Sequence, residues 1–364
     1  MAGIVLGWLF GVCLLTFLAS LICCRILIKV GPKDAPDGER KPQEMAVPSS
    51  GGIAFGTVSL VWVLYLFLTS LPSPASAKII QETVQSLPMG WPHLALFLGA
   101  LILGAIDDAF TLNAKPKFGL LIALTFMAVT FGHHIEGIFL PYFDSYVILA
   151  SWIGIGGSAL WLFVMMNATN FMDGSNGLAT GTLAIMIAAT SLELYNPALQ
   201  GPNALNHLLL AGFGALTVAS ILGFLFWNLQ GKLYAGDAGS LFGGAVFASL
   251  GLYAAQDGNI WFPATLALPF LVDVFMTLLW RARAGHNLLT PHRHHAYQLF
   301  IRAGWGHLKT ALLWWALAAI CAVAGLWAAG DSKSTSAWVF FGLLGAGCAL
   351  WLWQRRVYGP RASA

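Results

Sequence analysis

The apolar residues of this chain come in runs of about the length that crosses a bilayer, and the runs recur from the first residues to Trp353 instead of gathering at one end. A fold in water has nowhere to put so much apolar surface. Of 364 residues 58% are apolar and 9% charged, against about 25% charged in soluble domains. The pattern predicts an all-α, polytopic integral membrane protein and excludes a soluble globular one. Eleven runs qualify as spans, at 4–28, 51–71, 92–107, 117–132, 146–168, 177–195, 207–227, 239–256, 260–280, 307–330 and 336–354. The first has no basic residue before its apolar stretch and is followed by Arg25 and Lys29, so it is expected to be a retained span, not a cleaved leader.

Positive residues stay on the cytoplasmic side, so sorting Lys and Arg between alternate loops tests the count. Sixteen of the eighteen fall on one side, and only Lys78 and Lys333 on the other. About 11 transmembrane helices, N-terminus outside and C-terminus inside, match that split. Residues 1–364 then read as one multi-span domain whose inner loops are 31–50, 107–117, 169–176, 228–238 and 281–306. A net charge of +3 is too small to imply nucleic acid as a partner. The five cysteines lie inside apolar runs without ligand spacing, so neither a disulfide nor a thiolate metal site is expected. Small residues at four-residue spacing (Gly3, Gly7 and Gly11; Gly177 and Gly181; Gly239 and Gly243) read as helix packing.

With that orientation, the unusual polar clusters all fall on the cytoplasmic side. Asp107 and Asp108 end the third span, with Lys115 and Lys117 following. Adjacent carboxylates repel and meet the wrong end of the helix dipole, which favours a divalent metal or a proton-accepting role over a merely solvated helix end. The lysines suit phosphate oxygens, and positive-inside anchoring explains them equally. Asn170, Asp173 and Asn176 are three residues apart and would cluster if a helix persists through them; the Asp-Gly and Asn-Gly dipeptides read equally as a turn. Gly236-Asp237-Ala-Gly-Ser240 opens the eighth span, where Asp237 suits either an N-cap or a metal ligand and free backbone N–H groups favour phosphate. Pro291-His-Arg-His-His295 is too crowded for a helix-spaced metal pair, so phosphate or sugar contact by imidazole and Arg293 is expected there. Asp273 lies inside the ninth span, either paired with Arg281 or Arg283 or serving a functional cavity. Hard oxygen ligands without cysteine favour Mg²⁺, with Mn²⁺ as a substitute, and point to phosphoryl transfer between a soluble nucleotide and a lipid.

These loops, together with Asp34-Ala-Pro-Asp-Gly-Glu-Arg-Lys-Pro through Pro48-Ser-Ser-Gly-Gly52, resemble the polyprenyl-phosphate N-acetylhexosamine-1-phosphate transferase family, which includes the phospho-MurNAc-pentapeptide translocase. The resemblance implies that undecaprenyl phosphate attacks the β-phosphate of a UDP-sugar with Mg²⁺ present, releasing UMP, at the cytoplasmic face of a bacterial inner membrane. It makes Asp237 a metal ligand with Asp108 beside it, and Asp107 and Asp108 the catalytic pair, Asp107 being the base or phosphate-orienting group. Asn170 and Asp173 match active-site positions, Asn176 one that reads uracil, Tyr234 an aromatic that stacks on it, and Asn228 a nucleotide-contacting amide. Gly236 and Lys115 join the substrate-binding set, and His292, Arg293 and His295 match the family's histidine motif. Ser49-Ser50 and Leu229-Gln230 depart from common family residues, and the histidine segment is more like transferases that initiate O-antigen or capsule synthesis. A homodimer is also implied by resemblance. The rival reading is an ion-coupled transporter using Asp273, which polar groups gathered on one face disfavour.

Overall fold

The computed structural model describes residues 2–31, 33–34, 47–69, 90–196, 204–255, 257–288, 290 and 292–363. Most of the first inner-loop motif (35–46), Lys78 and Pro291 lie outside the described residues. The described residues form twelve helices: α1 (Ala2–Val30), α2 (Gly51–Thr69), α3 (Trp91–Phe110), α4 (Ala114–Phe131), α5 (Ser151–Met172), α6 (Leu178–Leu194), α7 (Ala204–Asn228), α8 (Gly236–Ala254), α9 (Trp261–Arg283), α10 (Ala296–Arg302), α11 (His307–Asp331) and α12 (Lys333–Ser363). Two antiparallel strand pairs complete them, β1 (Lys33–Asp34) with β2 (Val47–Pro48), and β3 (Gly137–Leu140) with β4 (Ser145–Ile148).

The protein is a polytopic helical membrane protein. Eight helices, α1, α3, α4, α5, α7, α9, α11 and α12, are long and apolar enough to cross a membrane. Each of the eleven expected runs coincides with a helix; only the short α10 falls in none of them. The fifth run starts later than expected because residues 145–148 pair as β4.

The core is organised around α8, which packs on α2, α3, α5 and α6. Every residue of α8 from Ala238 to Ala254 is buried. Its small side chains let neighbouring backbones come close: a methyl added at Gly52 would lie 2.0 Å from Gly239 N, and one at Gly104 would lie 2.3 Å from Ala238 N. Gly177, Gly181, Gly239 and Gly243 thus meet packed neighbours, as their spacing suggests, whereas Gly11 faces open space. The main chain of β2 and the start of α2 brackets the segment before α8, with Tyr234 N donating to Pro48 O at 2.8 Å, and Gly51 N and Gly52 N donating to Tyr234 O and Ala235 O at 2.9 Å.

An added methyl at Gly104 meets backbone, which cannot rotate away, and overpacking of this kind costs about 1–3 kcal/mol. Gly104→Ala is therefore expected to lower the thermal midpoint of the purified protein by a few degrees. Gly157→Ala, on an exposed stretch with nothing within 4 Å, should leave it unchanged or slightly raised. Tryptophan-fluorescence melting of both variants checks the pair.

Candidate active site

A helix start buried inside a protein must find partners for its first N–H groups. The first turn of α8 finds them in another helix: Asp108, near the end of α3, accepts from Asp237 N at 2.9 Å and Ala238 N at 3.2 Å. The expected cap by Asp237 is not formed, because the carboxylate of Asp108 already takes that place. Of the N–H groups at this terminus, those of Asp237 and Ala238 are therefore already engaged. Gly236 makes the approach feasible, with φ +69 and an Asp108 oxygen 2.3 Å from where a Cβ would stand.

Asp107 faces a different partner. Its Oδ1 accepts from Leu112 N at 2.6 Å, and its Oδ2 meets Lys117 Nζ at 2.6 Å. The same ammonium bonds Oδ2 of Asp237, so two carboxylates from α3 and α8 share one cation supplied by α4. Lys117, not Lys115, is the lysine brought into this cluster; Lys115 is exposed. Positive-inside anchoring had made the two look alike in sequence.

The end of α5 closes the third side. Asn170 Nδ2 donates to Ser240 Oγ at 2.9 Å, and its amide also lies beside the Asp237 carboxylate. The helix then stops: Asp173 is its C-cap, and Gly177, in the left-handed region at φ 76, starts α6. The three-residue spacing of Asn170, Asp173 and Asn176 therefore does not run along one helical face, and Asn176 sits in the turn, where a methyl at Gly231 would be 3.4 Å from its Nδ2. Burial, then the charges of Asp237 and Asp108, hold the Asp173 carboxyl well above the usual carboxylate range. Asn228 spends its amide on the backbone, accepting from Gly177 N at 2.6 Å and donating to Leu233 O at 2.8 Å. Tyr234 is half-buried beside it.

The histidine segment reaches the same end of the bundle. Tyr297 Oη donates to Phe171 O at 3.1 Å, and the His295 ring stacks on Phe171 with centroids 6.0 Å apart. His292 stacks on His295 and His294 at 4.9 and 5.5 Å. Burial, reinforced by His295 and Arg281, pushes His292 down to about 3; burial with Arg281 and Arg355 pushes His294 down to about 4. Both are thus neutral imidazoles at pH 7, and the exposed Arg293 is the positive group of the segment. Asp273 does not pair with Arg281 or Arg283 as the sequence suggested. Arg281 turns instead to His294 Nδ1 at 2.9 Å and Thr290 Oγ1 at 3.2 Å, while Asp273 accepts from Ala296 N at 2.7 Å and Thr277 Oγ1 at 3.1 Å.

The donor chemistry fits a divalent cation. Asp107 and Asp237 already converge on a single positive charge through hard oxygens, and Mg²⁺ usually takes one or two carboxylates together with substrate phosphates. Among the described residues no three His, Cys, Asp or Glu side chains form a protein-only metal cage. Asp108, with both oxygens on the backbone of α8, stands beside this pair and supports it.

The sequence model of glycosyl transferase family 4 matches residues 91–255, the stretch that holds Asp107, Lys117, Asn170, Asp173 and Asp237. The chain is 27% identical over 339 residues, 91% of its length and 86% of the other protein, to a probable undecaprenyl-phosphate N-acetylglucosaminyl 1-phosphate transferase of Bacillus subtilis (strain 168). It is 26% identical over 324 residues to the phospho-N-acetylmuramoyl-pentapeptide-transferase of Mycolicibacterium gilvum (strain PYR-GCK), covering 81% of this chain and 86% of that one. The enzyme of the same name from Synechococcus sp. (strain RCC307) is 27% identical over 319 residues, 82% of this chain and 81% of its own. The resemblance carried by the motifs therefore stands.

The raised Asp173 carboxyl has a signed consequence. A carboxyl that keeps its proton to higher pH in the folded chain than in the unfolded one makes folding take up protons, so its contribution to stability falls as pH rises above the ordinary value of about 4. Asp173→Asn is expected to raise the thermal midpoint at pH 8, with the gain shrinking as pH is lowered towards that value. Melting curves across pH in metal-free buffer would contradict the burial argument if the gain did not vary.

Proposed function

We propose that this chain transfers a sugar-1-phosphate from a UDP-N-acetylhexosamine to undecaprenyl phosphate, releasing UMP and leaving an undecaprenyl-diphospho-sugar. The observation that carries the reading is the sharing of Lys117 by Asp107 and Asp237, next to Asn170 and Asp173 at the end of α5, in a chain whose named relatives are sugar-phosphate transferases of undecaprenyl or cell-wall substrates. In the reaction an oxygen of the lipid phosphate forms a bond to the β-phosphorus of the nucleotide sugar. The bond from that phosphorus to the oxygen bridging to the α-phosphorus breaks, and its electron pair leaves with UMP.

A lipid phosphate is largely ionised near neutral pH, so little base strength is needed and positioning carries the rate. Asp107 orients the attacking phosphate or takes its remaining proton. Lys117 neutralises phosphate charge, and Arg293 does so from the histidine side. His292 and His295 contact sugar or diphosphate through imidazole hydrogen bonds, Tyr234 stacks on uracil, and Asn176 and Asn228 line the nucleotide's path. Asp237, with Asp107 or Asp108, would hold Mg²⁺ or Mn²⁺; when bound, the cation withdraws charge from the transferring phosphoryl oxygens.

The excess of Lys and Arg in the loops at this end supports a cytoplasmic site in a bacterial inner membrane. The histidine segment supports a product that starts O-antigen, capsule or another envelope glycan. A homodimer rests on family resemblance alone. Among the described residues nothing favours a transport path, since Asp273 is engaged by a helix terminus.

The test is UMP release by purified protein from a panel of UDP-sugars, with and without undecaprenyl phosphate and Mg²⁺. Release is expected to need both additions, and Asp237→Asn and Asp107→Asn are each expected to lower kcat at least about a hundredfold, in the range of losing a principal charge-stabilising group, while the protein stays monodisperse. No release by folded wild-type protein with any sugar would end this reading.

A further inference from the structure

Asp273 is a buried carboxylate that the reaction as described above leaves without a task. It lies on α9 and is 2% exposed. Three donors converge on it: Ala296 N at 2.7 Å, Tyr297 N at 3.4 Å and Thr277 Oγ1 at 3.1 Å. The two backbone donors are the start of α10, so the carboxylate of one helix anchors the first turn of another. His295 is the residue immediately before that turn. Its side chain is 3% exposed, and its Nδ1 has no hydrogen-bond partner and lies 3.5 Å from Asp273 Oδ1.

What this anchor holds in place is the contact between the histidine segment and α5. His295 stacks on Phe171, and Tyr297 donates to the carbonyl of the same residue. Phe171 stands between Asn170 and Asp173. Both contacts start from residues at the α10 terminus that Asp273 grips, so a shift of that terminus moves the imidazole relative to the carboxylate cluster.

We propose that Asp273 is a positioning residue that sets the orientation of His295 towards the substrate, by gripping the start of α10 and by facing Nδ1, so that Nδ1 carries the proton and Nε2 is left to accept from a sugar hydroxyl. This rests on the transferase reading. A carboxylate beside one imidazole nitrogen fixes the tautomer and the ring plane, and for metal-bound histidines loss of such partners costs about 10–100-fold. The geometry gives Asp273 no contact with the Asp107, Lys117 and Asp237 cluster, so its effect must run through the histidine segment.

The experiment is a double-mutant cycle with two readouts. Asp273→Asn keeps an oxygen for Ala296 N but removes the charge facing His295; it is expected to lower kcat about tenfold or more, within the range for an imidazole's carboxylate partner, and to change KM for the UDP-sugar little. In a His295→Ala background the same substitution should cause no further loss in kcat, whereas equal losses in both backgrounds overturn the proposal. Should Asp273→Asn not fold, Thr277→Val, which strips a single hydrogen bond from the carboxylate, carries the same cycle with a smaller loss. Hydrogen exchange of the peptide spanning 292–302 is the readout free of activity: Asp273→Ala should speed exchange there, and unchanged exchange overturns the grip on α10. If wild-type protein releases no UMP, the transferase reading fails, and the exchange result still reports on the grip by itself.

Discussion

The start of α8 is the constraint from which the rest of the site follows. A helix buried from Ala238 to Ala254 leaves its first N–H groups little access to water, and an unpaired buried donor costs about 1–3 kcal/mol. Asp108 answers with a charge-assisted pair of hydrogen bonds from α3. That bond forces α3 and α8 together, which is why Gly104 and Gly236 leave no room for a Cβ. It also divides the adjacent carboxylates. Neighbours on a helix point about 100° apart, so with Asp108 turned to α8, Asp107 is left facing Lys117 and, through it, Asp237.

Charge balance then frames the chemistry. Among the described side chains Asp107 and Asp237 share the Lys117 ammonium, and the Asp108 and Asp173 carboxylates lie close enough to act on that pair or on each other. Burial holds the Asp173 carboxyl well above the usual carboxylate range, and the cluster is still negative before a diphosphate and a lipid phosphate arrive. The neutral His292 and His294 add no positive charge. Arg293 adds one. A divalent cation is the economical way to bring so many oxygens together at short range.

The membrane-crossing helices are legible in the sequence because lipid-facing helices must be apolar all round, a property that shows in any window of residues. α8 shows the limit of that signal, since its glycines and alanines make it only mildly apolar although it is the most enclosed helix. The carboxylates themselves are legible for a related reason: Asp in or beside an apolar run is costly and stands out. Their partners are not. Asp108 bonds residues 129 and 130 positions away, and nothing local to either segment announces it. Arg281 seemed the natural partner for Asp273, yet eight residues of helix separate them by about 12 Å, and the nearby histidine loop offers Arg281 closer acceptors. Lys117 was indistinguishable from Lys115 until α4 fixed which of them points inward.

The same device appears twice. α8 is capped by Asp108 from α3, and α10 by Asp273 from α9; each cap is a carboxylate lent by a different helix. Local caps by Ser, Asn or Asp would fix only the start of their own helix, whereas a cap from a neighbour ties two helices into one geometry. The first tie sets Asp237 opposite Asp107, and the second sets His295 beside the end of α5. A cluster assembled from loops at the ends of many spans needs such ties, because bilayer packing constrains helix axes far better than it constrains the rise of one helix end against the next. The carboxylates that cap a neighbouring helix hold the frame, and Asp107 and Asp237, which share the Lys117 ammonium, are the pair placed to hold positive charge against a phosphate.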